Sequence, residues 1–330
     1  MTGYEELESR IIQTDICSVC GSCISSCPLY YIQMIDGKPK RPKKKAACKN
    51  CSVCFDSCYK TSAETKGPGQ DHGIGQYRRV VAAKWNKSGS FQDGGIVTAL
   101  LKCAYDMELI DGALLSSGEG WEPTPSVATC AEDFIASAGT RYGVSPILMN
   151  LRSAIVEHEL DKLAVVGTPC HIQAVRRLQK IKLDLSPAVA FTIGLFCSEN
   201  IEFDGVSEQM SRVGVREEDV DRIAVSNGKF TIKAGNSNTS IPISDLKNCV
   251  PHHCQFCADH TSELADISIG SEGSPEGWST VVIRTQKGEE LFSKLESSPE
   301  VSTSNIPTNE VVQLKAASEK KRERARTGVV

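Results

Sequence analysis

The spacing of the cysteines constrains this chain more than any other feature. The sequence holds 15 cysteines in 330 residues, and eight of them form two short runs with identical spacing. The first run is Cys17, Cys20, Cys23 and Cys27, and the second is Cys48, Cys51, Cys54 and Cys58. A CxxCxxC loop lets three thiolates converge on one iron–sulfur cluster without a large hydrophobic core. The doubled run therefore predicts two [4Fe–4S] clusters near the N-terminus.

Disulfides and zinc are the other common uses of closely spaced cysteines. No apolar run of about 18 residues is present, and the acidic start MTGYEELESR lacks the pattern of a signal peptide. We therefore expect a cytoplasmic protein, either free or peripheral on the cytoplasmic side of a membrane complex, where thiols stay reduced. Zinc also binds paired CxxC motifs, but a four-ligand zinc site gains nothing from the full CxxCxxCxxxC run.

Residues 10–62 resemble bacterial-type ferredoxins, in which the fourth cysteine of each run ligates the other cluster. The resemblance implies an α+β ferredoxin-like module with two clusters. Cluster 1 is assigned to Cys17, Cys20, Cys23 and Cys58, and cluster 2 to Cys48, Cys51, Cys54 and Cys27. Pro28 follows the first run, whereas Tyr59 stands at the corresponding place after the second run. This departure from the ferredoxin pattern removes no ligand.

A basic segment, KPKRPKKK at residues 38–45, lies between the two runs. One interpretation is a solvated loop, and the other is a docking patch for an acidic partner or a polyanionic coenzyme tail. The whole chain has a net charge of −4, which argues against general nucleic-acid binding.

The rest of the chain has the pattern of an α/β domain. Short apolar runs predict strands at GALLSS, LAVVG (163–167) and VAFTIGLF (189–196). Helical periodicity links Ile96, Leu100, Cys103 and Met107, then Ile147, Leu151 and Ile155, and then Ile172, Val175 and Leu178. Strands that alternate with helices favour an α/β core. Asn227–Gly228, between IAVS and KFTIKA, predicts an appended antiparallel hairpin.

No G-x-G-x-x-G motif follows a strand, so a dinucleotide would bind outside the Rossmann scheme. Five motifs instead resemble the beta subunits of coenzyme F420 hydrogenase and dehydrogenase, over about residues 75–290. They are DGGIVTALL (93–101), SAGTRYGVSP (137–146), VGTPCHIQAVRR (166–177), GLFC (194–197) and CQFCADHTSELADISIGSEG (254–273). Fusion of this domain to a two-cluster ferredoxin module is similar to the F420H2-oxidising subunit of F420H2 dehydrogenases.

The resemblance implies FAD and a third [4Fe–4S] cluster in the α/β domain. The implied cluster 3 ligands are Cys170, Cys197, Cys254 and Cys257. Two of them, Cys170 and Cys197, end predicted strands, where functional loops gather in α/β folds. Of the three remaining cysteines, Cys103 is expected in the core, Cys249 is a competing ligand candidate five residues before Cys254, and Cys130 has no assigned role.

The FAD phosphates are expected at two glycine-rich turns before helices, because a helix N-terminus presents free N–H groups to anions. If these glycines only permit tight turns, the phosphates bind elsewhere. The candidate FAD-binding residues are Gly94, Gly95, Thr98, Thr140, Arg141, Tyr142, Gly143, Thr168, Pro169, Ser271, Gly273 and Trp278. Arg141 is expected to pair with a phosphate. The histidines near the cysteines are interpreted as surface groups or as neighbours of the cluster ligands.

The expected function is hydride exchange between F420H2 and FAD, followed by single-electron transfer through three clusters to or from a protein partner. FAD suits this position because a flavin handles both hydrides and single electrons. The partner classes considered are membrane F420H2 dehydrogenase, formate dehydrogenase and heterodisulfide reductase. The alternatives are a beta subunit of an F420-dependent formate dehydrogenase or hydrogenase, a reductase with a different donor, and a pure electron relay without flavin.

These inferences divide the chain into four parts. Residues 1–65 form the two-cluster module, 66–78 a linker, 79–305 the FAD and [4Fe–4S] domain, and 306–330 a charged C-terminal tail.

Iron analysis tests the metal assignment. Protein reconstituted without oxygen should contain about twelve irons and about twelve acid-labile sulfides per chain, because each cluster contributes four. About four irons would contradict the two-cluster module, and stoichiometric zinc would contradict all three clusters.

Overall fold

The computed structural model describes residues 2–42, 48–61, 73–89, 91–118, 121–226 and 228–327. Part of the basic segment, most of the predicted linker and Asn227 of the predicted hairpin turn lie outside these residues.

The N-terminal module consists of short elements around its cysteines. Its elements are α1 (Gly3–Leu7), a π-helical turn (Glu8–Ile12), α2 (Ser22–Ser26), β1 (Gln33–Ile35), β2 (Lys38–Lys40), α3 (Val53–Asp56) and a 3-10 turn (Tyr59–Thr61). Thr2 and Glu5 form a capping box that starts α1. The buried core is small, with Leu7, Ile11 and Ile32 packed beside cysteines. A module of this size has little apolar area to bury, so bound metal is a natural source of additional stability.

The larger domain is built on an eight-stranded mixed sheet. Its strands are β3 (Arg79–Trp85), β4 (Gly112–Ser117), β5 (Thr124–Ala128), β6 (Leu163–Gly167), β7 (Val189–Leu195), β11 (Ile267–Gly270), β12 (Ser279–Ile283) and β13 (Val301–Asn305). The strand order is β13-β3-β12-β11-β7-β6-β4-β5, and β4, β6, β7 and β11 run parallel. The sequence-based prediction of an α/β core is therefore confirmed.

Helices cover both faces of this sheet. They are α4 (Ile96–Asp106), α5 (Ala131–Ala136), α6 (Leu151–Val156), α7 (Pro169–Lys180) and α9 (Gln286–Glu296). Consecutive residues of β6 point to opposite faces, so Val166 packs with α4, α5 and α9 whereas Val165 packs with α6 and α7. Burial on both faces explains the continuous apolar run LAVVG.

A small antiparallel sheet follows β7 in the chain. Its strands are β8 (Arg222–Ser226), β9 (Lys229–Ala234) and β10 (Ser237–Pro242), in the order β10-β9-β8. The helix α8 (Phe203–Arg212) lies between β7 and this sheet in the chain. The predicted hairpin corresponds to β8 and β9, and β10 extends it to three strands. Val206, Phe230 and Ile232 form a separate buried core here.

The sequence predicts a charged tail over 306–330, but the chain there forms α10 (Thr308–Thr327). Leu314, Ser318 and Lys321 lie at helical spacing on its buried face. Ile74, from the end of the predicted linker, packs against Leu314 and Val282. Leu314 is apolar and Lys321 donates a hydrogen bond to the carbonyl of Cys197, whereas Ser318 Oγ is buried with no hydrogen-bond partner among the described residues. Among the described residues no helix is long and apolar enough to cross a membrane.

The N-terminal module docks on the larger domain through the first cysteine run. Leu148 donates its backbone N–H to the carbonyl of Cys20 at 3.1 Å, and Arg152 donates Nε to the carbonyl of Ser25 at 2.7 Å. Gly21 has a φ of +89°, and a Cβ there would lie 2.4 Å from the backbone N of Met149. Only glycine permits this close approach between the two parts of the chain.

This junction predicts different effects for two glycine substitutions. Gly37 also has a positive φ, of +69°, but no atom of the described residues lies within 4 Å of a Cβ added there. Gly37→Ala should cost about 1 kcal/mol from backbone strain alone. Gly21→Ala should cost about 1–3 kcal/mol more, because its methyl group overlaps backbone that cannot rotate away. Melting temperatures of the iron-loaded variants check this, and an equal loss for both would contradict the docking role of Gly21.

Candidate functional site

The structure brings the eight N-terminal cysteines together as two groups of four. Cys17, Cys20, Cys23 and Cys58, here called the first quartet, line one cavity. Cys27, Cys48, Cys51 and Cys54, here called the second quartet, line a neighbouring cavity. Each quartet takes its fourth cysteine from the other run, which is the arrangement expected from the sequence.

Polar groups approach the sulfur atoms of both quartets. The backbone N–H of Tyr31 donates to Cys27 Sγ at 3.4 Å, and Ser22 Oγ lies 3.4 Å from Cys20 Sγ. Burial raises the pKa of Cys17 to about 11 and the pKa of Cys54 and Cys58 to about 12. Thiols with such pKa values remain protonated at neutral pH unless a cationic group compensates the thiolates. The cavities therefore suit a group that supplies positive charge, as iron does.

A third group, the core quartet, forms at the end of the parallel strands. Cys170 lies in the first turn of α7, Cys197 follows β7, and Cys254 and Cys257 belong to or follow the 3-10 turn His252–Phe256. The charge on each of these thiols affects the pKa of others in the group, so the four lie close together. Burial raises the pKa of Cys197 to about 12, and Lys321 opposes part of this rise.

Hydrogen bonds position three sulfur atoms of the core quartet. Asn200 donates its backbone N–H to Cys254 Sγ at 3.4 Å, and Thr168 Oγ1 lies 3.1 Å from Cys170 Sγ. Cys257 donates its S–H to the carbonyl of Asp259 at 3.6 Å. In the described part of the chain, no three His, Cys, Asp or Glu side chains converge closely enough to hold a single metal ion.

Tyr59 lies between the first quartet and the core quartet. Cys170, Cys257 and Cys20 all exert electrostatic effects on its buried phenol. Tyr59 and Cys20 share one buried cluster with Leu148, and Cys170 packs against its edge. The residue that departs from the ferredoxin pattern therefore occupies the contact between the module and the larger domain.

Several of the candidate FAD residues lie at the carboxyl edge of the sheet. Thr168 follows β6 and Ser271 follows β11, and parallel strands end at the same edge. Gly94 joins them by donating its N–H to Ser279 Oγ at 3.1 Å, next to Trp278. Gly95, the residue before α4, is in the left-handed conformation and has no side chain with which to cap that helix. The first glycine turn therefore has the free helix N-terminus that an anion requires.

The second glycine turn is arranged differently from the expectation. The guanidinium of Arg141 donates to the carbonyls of Gly118 at 2.9 Å and Ser137 at 3.1 Å, while its Nε is buried with no hydrogen-bond partner in the described part of the chain. Tyr142 packs near Phe230, and its hydroxyl accepts the N–H of Val225 at 3.1 Å. A 3-10 turn (Ile147–Asn150), rather than an α-helix, comes next in the chain. Phosphate binding by Arg141 would require it to exchange these carbonyl partners.

The remaining candidates are distributed around the site. Pro169 and Thr168 begin α7, Thr98 is buried on α4, Thr140 precedes Arg141, and Gly143 forms an isolated bridge with Ile201. Gly273 has a φ of +89° in the loop after β11.

His171 is buried, and burial lowers its pKa to about 4. Its Nε2 lies 2.7 Å from the carbonyl of Ser145, so the neutral ring supports the loop before α6.

Sequence reasoning missed Lys321 of α10. Its side chain is buried, and Nζ donates to the carbonyl of Cys197 at 2.5 Å. Burial lowers the pKa of Lys321, but Cys257, Cys197 and Asp259 outweigh this and raise the pKa overall. The run EKKRERAR offered no signal that distinguishes one cation from its neighbours, apart from the helical spacing from Leu314.

Comparison with known proteins identifies the class to which this fold and site belong. Residues 80–152 match the N-terminal part of the coenzyme F420 hydrogenase/dehydrogenase beta subunit, and residues 160–309 match the C-terminal part of the same beta subunit. The chain belongs to this family of F420-linked oxidoreductase subunits.

Individual relatives extend the similarity toward the N-terminus. One subunit of the F420H2 dehydrogenase of Methanosarcina mazei is 30% identical over 92% of this chain and 89% of its own length. The coenzyme F420-dependent sulfite reductase of Methanocaldococcus jannaschii is 33% identical over 94% of this chain, which spans 51% of that protein. A chain in the structure of the F420-reducing [NiFe] hydrogenase complex from Methanosarcina barkeri superposes with a TM-score of 0.74 at 34% identity, covering 78% of this chain and 93% of that one.

The core quartet predicts a specific loss of iron from Cys257→Ser. The hard hydroxyl is a poor substitute for a soft thiolate at iron, so iron content should fall from about twelve to about eight per chain. Iron analysis together with cluster spectra measures this loss.

Two cysteines outside the quartets provide controls for that substitution. Cys249 is buried in the core of the small sheet, and Cys103 is half-buried beside Met107. Cys249→Ser and Cys103→Ala should keep all the iron, with Cys103→Ala costing only packing energy. Loss of the iron from Cys249→Ser and retention in Cys257→Ser would contradict the assignment.

Proposed function

We propose that this chain exchanges hydride between coenzyme F420 and FAD, and passes single electrons through three [4Fe–4S] clusters to or from a partner complex. The observation that carries the proposal is the arrangement of the three cysteine quartets. The core quartet lies at the carboxyl edge of the sheet, Tyr59 separates it from the first quartet, and Cys23 and Cys54 interact between the first and second quartets.

Twelve cysteines would hold the clusters, four from each quartet. The cysteines of each quartet are buried or half-buried, which limits the access of water. Each quartet also receives a hydrogen bond at sulfur or the close approach of a hydroxyl, which favours the thiolates that a cluster needs. When bound, FAD and the clusters supply the redox chemistry, because a flavin accepts a hydride and releases electrons singly. The chain's own contribution is to hold these groups in a row and to keep the space between them dry.

The proposed FAD site is the carboxyl edge between α4 and the loop after β11. Gly94 and Gly95 present the N-terminus of α4 to a phosphate, with Trp278 and Ser271 nearby. A side chain at Gly94 would lie 2.4 Å from the carbonyl of Ala83, so the turn can approach β3 only as glycine. Thr168, on the other side of the core quartet, would place the flavin next to Cys170.

The extent of similarity favours a relative with an N-terminal module. The match to the F420H2 dehydrogenase relative leaves 8% of this chain uncovered, which is shorter than the module. The match to the F420 hydrogenase beta subunit of Methanosarcina barkeri covers 68% of this chain. The part that it leaves uncovered is longer than the N-terminal module. We therefore favour a role of the F420H2 dehydrogenase type, located in the cytoplasm or on the cytoplasmic side of a membrane complex.

A second candidate partner is suggested by the sulfite reductase relative. This chain spans about half of that protein. In a role of this type the electrons would pass to a reductase rather than to a membrane complex. Formate dehydrogenase and heterodisulfide reductase remain further partner classes.

The donor can be tested with the reconstituted protein and an artificial electron acceptor. F420H2 should reduce the flavin and support dye reduction, whereas NADH should not, because the chain has no G-x-G-x-x-G fingerprint for a nicotinamide dinucleotide. Stopped-flow absorbance of the flavin measures both reactions. Rapid bleaching by NADH and none by F420H2 would contradict the proposal, and full iron with no bound flavin would indicate a pure electron relay.

A further inference from the structure

Lys321 is a cation held in a buried position by the C-terminal helix. It is 5% exposed, whereas the adjacent Lys320 is exposed to solvent. Lysine is rarely buried without a charged or strongly polar partner, because removing its ammonium group from water is costly. The environment of Lys321 must therefore provide compensating negative charge.

The surroundings of Lys321 are those of the core quartet. Nζ donates to the carbonyl of Cys197, and α10 packs against the turn His252–Phe256 that carries Cys254. Asp259 is a further buried acid near the ammonium group. With four thiolates in place, the negative charge around this one lysine increases further.

Neighbouring cations of α10 fix the helix in this position. Arg324 donates to Glu199 Oε2 at 2.8 Å and to the carbonyl of Ser198 at 3.0 Å, both directly after Cys197. Arg322 pairs with Glu263 and with Glu319. These contacts anchor the helix on the loop that carries a core cysteine, so Lys321 has little freedom to turn toward solvent.

We propose that Lys321 is a positioning residue for the core cluster. Its ammonium group compensates the negative charge of the cluster thiolates and thereby raises the reduction potential of the cluster. The inference rests on the cluster assignment in the proposed function, but not on F420 as the donor. An added electron makes a thiolate-bound cluster more negative, so a buried cation stabilises the reduced state. Both family matches end before Lys321, at residues 152 and 309, so neither assigns this role.

The test is a redox titration of the full-length, iron-loaded protein with a chemical reductant, monitored by electron paramagnetic resonance. Lys321→Met should lower the potential of one cluster by at least about 59 mV, a tenfold change in a one-electron equilibrium. The potentials of the other two clusters should not change. The affected signal should be the one that Cys257→Ser eliminates, which identifies it as the core cluster.

Matched variants separate charge from packing. Lys321→Arg keeps the charge and should keep most of the potential, while Lys320→Met removes an exposed charge from the same helix and should change nothing. If Lys321→Met loses about four irons and Lys321→Arg keeps them, the charge is required and the proposal is supported. Unchanged potentials with full iron in Lys321→Met would overturn it, and so would equal iron loss in both Lys321 variants.

This titration remains informative if F420 proves not to be the donor. The electrons come from a chemical reductant, so failure of F420H2 to bleach the flavin refutes the proposed function without affecting the measured potentials. Melting temperatures of the metal-free variants, measured in parallel, report any general loss of folding.

Discussion

The parallel pairing of β4, β6, β7 and β11 is the constraint on which the rest of the larger domain depends. Parallel strands end at the same edge, so the loops that follow them must meet there. Cys170 lies in the first turn of the helix that follows β6, while Cys197 and Ser271 lie in the loops that follow β7 and β11. Residues that are far apart in the sequence thus become neighbours without any local motif to bring them together.

The module and the larger domain form one continuous structure through a small set of backbone contacts. Cys20 accepts a hydrogen bond from Leu148, while Tyr59 is buried between Cys20 and Cys170. An aromatic ring at this place fills space that water would otherwise occupy. It also explains a choice of residue that the ferredoxin pattern alone leaves unexplained, because the position faces another domain rather than the solvent.

The buried thiols of the site require compensating positive charge before they can ionise. Buried thiols resist ionisation, as the raised pKa values of Cys54, Cys58 and Cys197 show. Positive charge must come from bound metal, from N–H donors or from nearby cations. Around the core quartet the chain supplies Lys321 in addition to the backbone of Asn200. The C-terminal helix therefore belongs to the site, although it lies far beyond the last core cysteine in the sequence.

The sequence by itself determined the two N-terminal cysteine runs, the α/β core and the strands β4, β6 and β7, because these depend on local spacing and on alternating or continuous burial. The CxxCxxC runs hold three cysteines of each N-terminal quartet within a few residues, and LAVVG has the continuous apolar pattern of a strand covered on both faces. The tertiary structure alone decided the roles of Arg141, Tyr59 and Lys321. Each is defined by partners distant in sequence: Gly118 for Arg141, Cys170 for Tyr59 and Cys197 for Lys321. A run of lysines and arginines has the same composition whether it is solvated or buried, and only the packing of α10 selects which cation meets the thiols.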